Sequence, residues 1–513
     1  MATEVEPLIA DDNRCDTVAG CVNFMNLPAR RSLTGRWTSF YFIIGLEIAE
    51  RFAYYGISSN MITFLTGPLG QSVAAAAANV NAWSGSSMIM PLVGALLADS
   101  FLGRYRTIVI AVLLYILGLG LLSLSAGIFH SHFQTYLFFF ALYMIGFAQG
   151  GVRPCVQAFG ADQFDVEDSK ECETRSSFFN WWYFGVSLST LIFVNILVYI
   201  QDNINWVLGF GIPCIFLICG LILFLSGKWT YRFYNRSGEE NGFTYIPEDG
   251  KEQPIEHHRQ NNKSLAPSNV KEVKSVLKLL PIGLSCTLYA LVFSQSSTFF
   301  TKQGLTLQRN ILFGFQVPPA CLQSFISLGI VIFLPIYDGL LVPWMRKLTN
   351  NSTGITILQR IGVGMILSLV AMITAAMVEA KRLETARKYE VVDLPNATIP
   401  MTIWWLIPQY FLFGISDVFT MVGLQEFCYD QVPIELRSVG LSLYLCVFGV
   451  GNLLSTFLIC LIEKITGSHG KESWFANNLN RAHLDYFYWL LSGLSLLQFV
   501  VFVILSKSYV YKK

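Results

Sequence analysis

Charge is what this sequence has least of. Only 13% of its 513 residues are Asp, Glu, Lys or Arg, against about 25% in an ordinary soluble protein, so a string of water-soluble domains is a strained reading. Net charge is missing as well. The 35 Lys and Arg stand against 34 Asp and Glu, which leaves no electrostatic case for a nucleic acid or another polyanion as partner. The eleven cysteines show no CxxC or zinc-type spacing, and most lie inside apolar runs, from Cys155 to Cys460, where cysteine behaves as a small buried hydrophobe. The adjacent His257 and His258 have no third or fourth ligand at a defined spacing, so no metal is expected. HExxH pairs, GxSxG elbows and protease-type intramembrane aspartate pairs are absent, and with them any case for an enzyme. Met1 to Arg30 is polar and of mixed charge, unlike a cleavable signal peptide; insertion is expected to begin at an internal span.

What the chain does have is apolar surface collected into long runs. Hydrophobic residues make up 53% and aromatics 14%, with a mean hydropathy of +0.50. Twelve stretches approach the roughly 20 residues needed to cross about 30 Å of hydrocarbon as helix. They fall at 37–63, 78–98, 107–128, 135–156, 178–200, 205–227, 275–300, 317–341, 355–379, 401–423, 437–462 and 485–508. Continuous apolar runs favour helices, because barrel strands alternate over about ten residues. The expectation is an all-α membrane protein of twelve transmembrane helices.

One long polar segment, 228–274, separates spans six and seven. The predicted organisation is a cytosolic tail (1–36), a six-helix bundle (37–227), a cytosolic linker (228–274), a second six-helix bundle (275–508) and a short cytosolic tail (509–513). Orientation follows the basic residues. Arg30, Arg31, Arg36, Arg104, Arg106, Lys170, Arg175, Lys228, Arg232 and Arg236 sit before span one and after spans two, four and six, while the loops after spans one, three and five carry none. Both termini are therefore expected in the cytosol. Lys381, Arg382, Arg387 and Lys388 fall after span nine, on the opposite side, as does the sequon at Asn396. In the tail, Glu4 with Leu8 and Ile9 has the form of an acidic dileucine signal for cytosolic sorting adaptors.

A charge at bilayer depth costs from about 3 to more than 10 kcal/mol if unpaired, so each one needs a partner or a use. Span one carries Glu47, Glu50 and Arg51. With Tyr54 they lie on one helical stripe, next to Tyr55, and a polar stripe must face a cavity or another helix. Burial disfavours a charged carboxylate and a guanidinium one turn away favours it, so the two effects can leave a group able to exchange protons. Protonation would then free the arginine as a bidentate anion site; the alternative is a static pair holding helices together. Arg153 lies in Gly150-Gly-Val-Arg153-Pro154 near the end of span four, where glycines permit close helix approach and proline interrupts the backbone ladder. Asp417 lies deep in span ten with no cation within a turn of its own helix, and a salt bridge to the opposite half is the expected partner. Glu426 and Asp430 are placed at the interface.

Glu47-Ile-Ala-Glu50-Arg51-Phe-Ala-Tyr54-Tyr55-Gly resembles the ExxERFxYYG signature of the proton-coupled oligopeptide transporters, a branch of the major facilitator superfamily. Phe159-Gly-Ala-Asp162-Gln163-Phe164-Asp165, Phe178-Phe-Asn180-Trp-Trp-Tyr183, Ser296-Ser-Thr298-Phe-Phe and Pro335-Ile-Tyr337-Asp338 resemble its plant nitrate and peptide transporter branch. Asp99, with Gly103-Arg104-Tyr-Arg106, is similar to the superfamily's cytosolic loop motif between spans two and three. The resemblance implies two six-helix bundles around a central cavity with alternating access. By position it assigns proton coupling to Glu47, Glu50 and Arg51, substrate contact to Arg51, Tyr54, Tyr55 and Arg153, and a gate to Asp417 with Arg153. The sequence departs from the family in having arginine for the usual lysine at 153, aspartate for glutamate at 417, and Phe293 where the dual-affinity nitrate carrier has a histidine.

The expected function is proton-coupled symport of a small anionic or zwitterionic solute, nitrate or di- and tripeptides first, with the proton as coupling ion and no other cofactor. The alternatives are a non-transporting nutrient sensor on the same fold, or a carrier of a plant hormone or specialised metabolite. Use of the dileucine signal would favour the vacuolar membrane over the plasma membrane.

Overall fold

A computed structural model describes residues 17–128, 132–165, 188–234, 277–310, 316–349, 355–395, 397–431, 437–467 and 473–509. The sorting pattern at Glu4, Leu8 and Ile9, together with His257, His258 and Asn396, lies outside them. Fifteen helices are named below: α1 Arg36–Ser58, α2 Met61–Thr66, α3 Val73–Leu97, α4 Arg104–Gly127, α5 His132–Ala161, α6 Leu188–Asn203, α7 Trp206–Ser226, α8 Leu280–Phe293, α9 Phe299–Leu305, α10 Ser324–Ile336, α11 Val342–Thr349, α12 Ile357–Lys388, α13 Ile407–Asp430, α14 Arg437–Thr466 and α15 Leu484–Ser508. Among the described residues nine helical segments are long and apolar enough to cross a membrane. The expected spans one, five and seven are not among the nine. In α1 the stripe of charge lowers the apolar content. Span five is described only from Leu188, and span seven is divided at Ser294–Ser296, a 3₁₀ turn between α8 and α9.

Small residues decide where helices approach. A side chain at Gly94 of α3 would overlap the Gly150 carbonyl of α5, so the glycines before Arg153 are what let these two helices touch. The two halves meet along α3 and α14. There a Cβ at Gly85 would come within 2.8 Å of the Gly449 carbonyl, and Asn81 Nδ2 donates to Ser455 Oγ at 2.9 Å. Further contacts join the halves at the end where α1 and α2 finish, here the distal end. Lys302 Nζ donates to Thr66 Oγ1 (2.9 Å), Gln323 Nε2 to the Ser59 carbonyl (2.8 Å) and Ser324 Oγ to Asn195 Oδ1 (3.0 Å).

The tail and the start of the linker hold more structure than a polar composition suggests. Strands β1 Thr17–Val22, β2 Pro28–Arg30 and β3 Phe233–Tyr234 form one antiparallel sheet in the order β2-β1-β3. It sits at the proximal end, where α1 begins. Arg232, counted above with the linker cations, is buried, and its Nε and Nη2 both donate to the Thr34 carbonyl. Gly35, at φ 79°, starts α1 directly over that guanidinium; any side chain there would overlap it. Arg382 also moves inside. Helix α12 runs on to Lys388, so the cations after span nine belong to the helix, and Arg382 is buried against Glu379. Cys155 and Cys286 are buried as expected, whereas Cys219 and Cys460 lie on outward faces.

Candidate functional site

The stripe on α1 turns inward. Glu47 and Glu50 are buried, Arg51 is partly exposed, and Tyr54 is buried beside Tyr55. Arg51 Nε donates to Glu47 Oε1 at 2.9 Å and stands 3.5 Å from Glu50 Oε2. From α5, Arg153 brings its Nε to 3.6 Å from Glu50 Oε1 and lays its guanidinium 4.0 Å above the Tyr54 ring. Trp83 also stacks on Tyr54, at 5.7 Å, and is fixed by its own bond to the Leu142 carbonyl. Two acids from α1 and two guanidiniums from different helices thus share one cluster.

That cluster is held by charge more than by hydrogen bonds. Among the described residues Glu50 has no donor on either oxygen, Glu47 Oε2 has none, and Arg153 Nε and Nη2 have no acceptor. Buried polar atoms are normally satisfied, so these are groups with binding capacity to spare. A proton on Glu50 would cancel its attraction for both arginines at once, and the freed guanidiniums, being forked donors, suit a planar anion or carboxylate.

Asp417 lies apart from this cluster. In place of the expected bridge to the opposite half, Asp417 Oδ1 accepts from the Tyr289 hydroxyl at 2.6 Å, within its own half, and Arg153 is engaged by Glu50 and Tyr54. The reason is local: α8 presents a neutral donor at hydrogen-bond distance. Ser416 reaches the same hydroxyl at 3.3 Å, and Phe293 stacks on Tyr289 at 6.3 Å and meets Phe413 edge-on. Phe293 therefore supports the Asp417 pair as an apolar wall. Nothing in the spacing of span ten pointed to Tyr289; a lone tyrosine in the apolar run of α8 was the available signal.

The loop motif divides. Arg104 pairs with Asp162, Arg106 is exposed, and the side chain of Asp99 lies outside the described set. In sequence Asp162, Gln163 and Asp165 are no more than a signature. They fasten the proximal cap: Asp165 accepts from Arg31 at 2.6 Å, and Gln163 Oε1 and Nε2 bond the backbone N–H and carbonyl of Arg232. Glu426 is exposed and pairs with Arg360 at 3.0 Å, and the side chain of Asp430 lies outside the described set. Among the described residues no group of acids, cysteines and histidines is arranged to hold a metal.

A family model described as "POT family" matches residues 105–246 and 249–475. The chain belongs to the POT family. Within it, this POT member is 54% identical to Protein NRT1/ PTR FAMILY 5.10 of Arabidopsis thaliana, with 98% of each chain covered. It is 49% identical to Protein NRT1/ PTR FAMILY 5.14 of the same plant, with 97% of each covered. Among solved structures, an auto-inhibited POT family peptide transporter superposes with a TM-score of 0.72 at 20% identity, covering 93% of this chain and 98% of that one. This POT member is accordingly a multi-pass membrane transporter of the NRT1/PTR type and not an enzyme.

Proposed function

We propose that the protein is a proton-coupled symporter that moves a small anionic or zwitterionic solute, nitrate or a di- or tripeptide, by alternating access. The observation that carries this reading is Glu50 lying between Arg51 and Arg153 with neither oxygen hydrogen-bonded among the described residues. A proton arriving at Glu50 or Glu47 releases a guanidinium, and the solute's acidic group takes the vacated place. Proton and solute then load together, because each removes the cost the other would face alone. Arg153 stays cationic under all ordinary conditions, so it serves as a fixed anion ligand and not as the proton carrier. In this scheme Asp417 is the acid of the opposite half that Arg153 meets when the bundles 37–227 and 275–508 rock about the cavity. Tyr289 holds it in reserve in the present conformation, in which Lys302, Gln323 and Ser324 join the halves at the distal end.

The test is uptake into proteoliposomes under an imposed proton gradient, with nitrate and a dipeptide mixture offered separately. Wild type is expected to accumulate one of them uphill, and Glu47→Gln with Glu50→Gln is expected not to. Unimpaired gradient-driven uptake by that double variant would remove α1 from the coupling. Measurable binding with no accumulation would favour the sensor reading instead. The vacuolar membrane is proposed as the site of action on the strength of Glu4, Leu8 and Ile9, with both termini in the cytosol; a fluorescent fusion remaining at the plasma membrane despite that signal would count against it.

A further inference from the structure

The proximal sheet ends in a tight turn that holds large apolar side chains out of the protein. Asn23 closes the turn: its N–H donates to the Leu27 carbonyl, its Oδ1 accepts from the N–H groups of Met25 and Leu27, and Asn26 adopts φ 60°. The turn is therefore built in advance, yet it leaves Phe24, Met25 and Leu27 at 42%, 61% and 56% exposure. A hairpin free in water gains nothing from presenting three such residues together, and an exposed apolar cluster marks a contact surface.

Position says what the contact is. Along α7 the outward residues Leu208, Ile215 and Ile222, spaced seven apart, form a seam exposed by 51%, 62% and 62%, and the next step of seven is Trp229, at 54%. In a membrane transporter that seam faces lipid. Trp229 stands three residues past the end of α7, and the Phe24 ring meets it edge-on at 5.5 Å. The hairpin tip thus continues the lipid-facing surface beyond the end of the span. Lys228 Nζ lies 4.9 Å from both the Phe24 and the Trp229 ring. Residues 17–36 contain Arg30, Arg31 and Arg36 and no acid. Aromatic rings with bases at the end of a span are the composition of the headgroup layer, where anionic lipid adds to the attraction.

We infer that the Asn23–Leu27 turn is a membrane anchor: it inserts Phe24, Met25 and Leu27 at the acyl–headgroup boundary of the leaflet at the proximal end, with Lys228 against the phosphate of an anionic phospholipid. The sheet is tied to the start of α1 and the end of α5 through Arg232, Thr34 and Gln163, so the anchor fixes the first half of the molecule to that leaflet. The inference does not depend on the solute carried or on proton coupling.

The experiment uses the full chain in nanodiscs of phosphatidylcholine, with and without phosphatidylserine, carrying a photoreactive benzophenone side chain in place of Met25. The same group replacing Ile215 reports mid-bilayer contact and an intact fold, and replacing Glu384, an exposed residue past the apolar part of α12, it reports water. Lipid adducts are counted by mass after irradiation. Position 25 is expected to yield adducts as readily as 215 and at least about tenfold more than 384, since its neighbours are buried in the interface. Phosphatidylserine is expected to be preferred about fivefold per basic group engaged, and Lys228→Gln should remove that preference while leaving the adducts. A yield at 25 no higher than at 384 would overturn the anchor, and adducts with no preference for phosphatidylserine would overturn the role of Lys228.

Discussion

Among the described residues a cluster of acids and guanidiniums is buried in each half, and the two are built to opposite rules. In α12, Glu379 and Arg382 form a bidentate pair at 2.8 and 2.6 Å with no solvent exposure, and the remaining donors are spent: Arg382 also reaches Asn480 Oδ1 and the Leu479 carbonyl, and Gln303 Nε2 donates to Glu379. In α1, Glu47, Glu50 and Arg51 with Arg153 of α5 share charge at 2.9 to 3.6 Å but, among the described residues, leave oxygens and guanidinium nitrogens without partners. A buried pair with every lone pair satisfied can only hold structure; one with spare valence is placed to change partners. Ionic residues in a membrane protein thus divide by how completely they are satisfied, and burial alone does not separate them.

The comparison can be broken most forcefully in α12. Arg382→Ala strands a buried carboxylate, and breaking such a pair costs about 3–5 kcal/mol; denaturation of the detergent-solubilised chain should show that loss, and an unaltered transition would contradict the static role. Tyr289→Phe comes next. It removes the donor to Asp417 and is expected to cost about 1–3 kcal/mol, with Phe293, which only stacks there, tolerating Leu better than Tyr289 tolerates Phe. Glu50→Gln cancels a buried charge that faces Arg51 and Arg153, but Gln keeps the volume and Glu47 still pairs with Arg51; its loss of stability should fall below that of Arg382→Ala, and its effect on uphill uptake should be the largest of the three. If Glu50→Gln proved as destabilising as Arg382→Ala, the two clusters would be of one kind.

Much of the fold was legible because the bilayer imposes a length on apolar runs, and the stripe on span one because helical periodicity puts Glu47, Glu50, Arg51 and Tyr54 on one face. What escaped was decided by residues far apart in sequence. Tyr289 and Asp417 meet across 128 positions, and no local spacing announces it. Arg382 reads as a loop cation when the apolar run is taken to end at 379, since hydropathy falls where α12 leaves the apolar zone although the helix continues. Arg232 reads as a topological cation until the Thr34 carbonyl is found beneath it. The proximal sheet was hidden because its strands lie on either side of the first six spans.

The most direct measurement of the central claim is solute-driven proton movement, followed by a pH-sensitive dye sealed inside proteoliposomes with no gradient imposed. On adding the transported solute, wild type should acidify the lumen, whereas Glu50→Gln should exchange labelled solute across the membrane without acidifying it. Acidification by Glu50→Gln at the wild-type rate would show that the cluster on α1 does not carry the coupling.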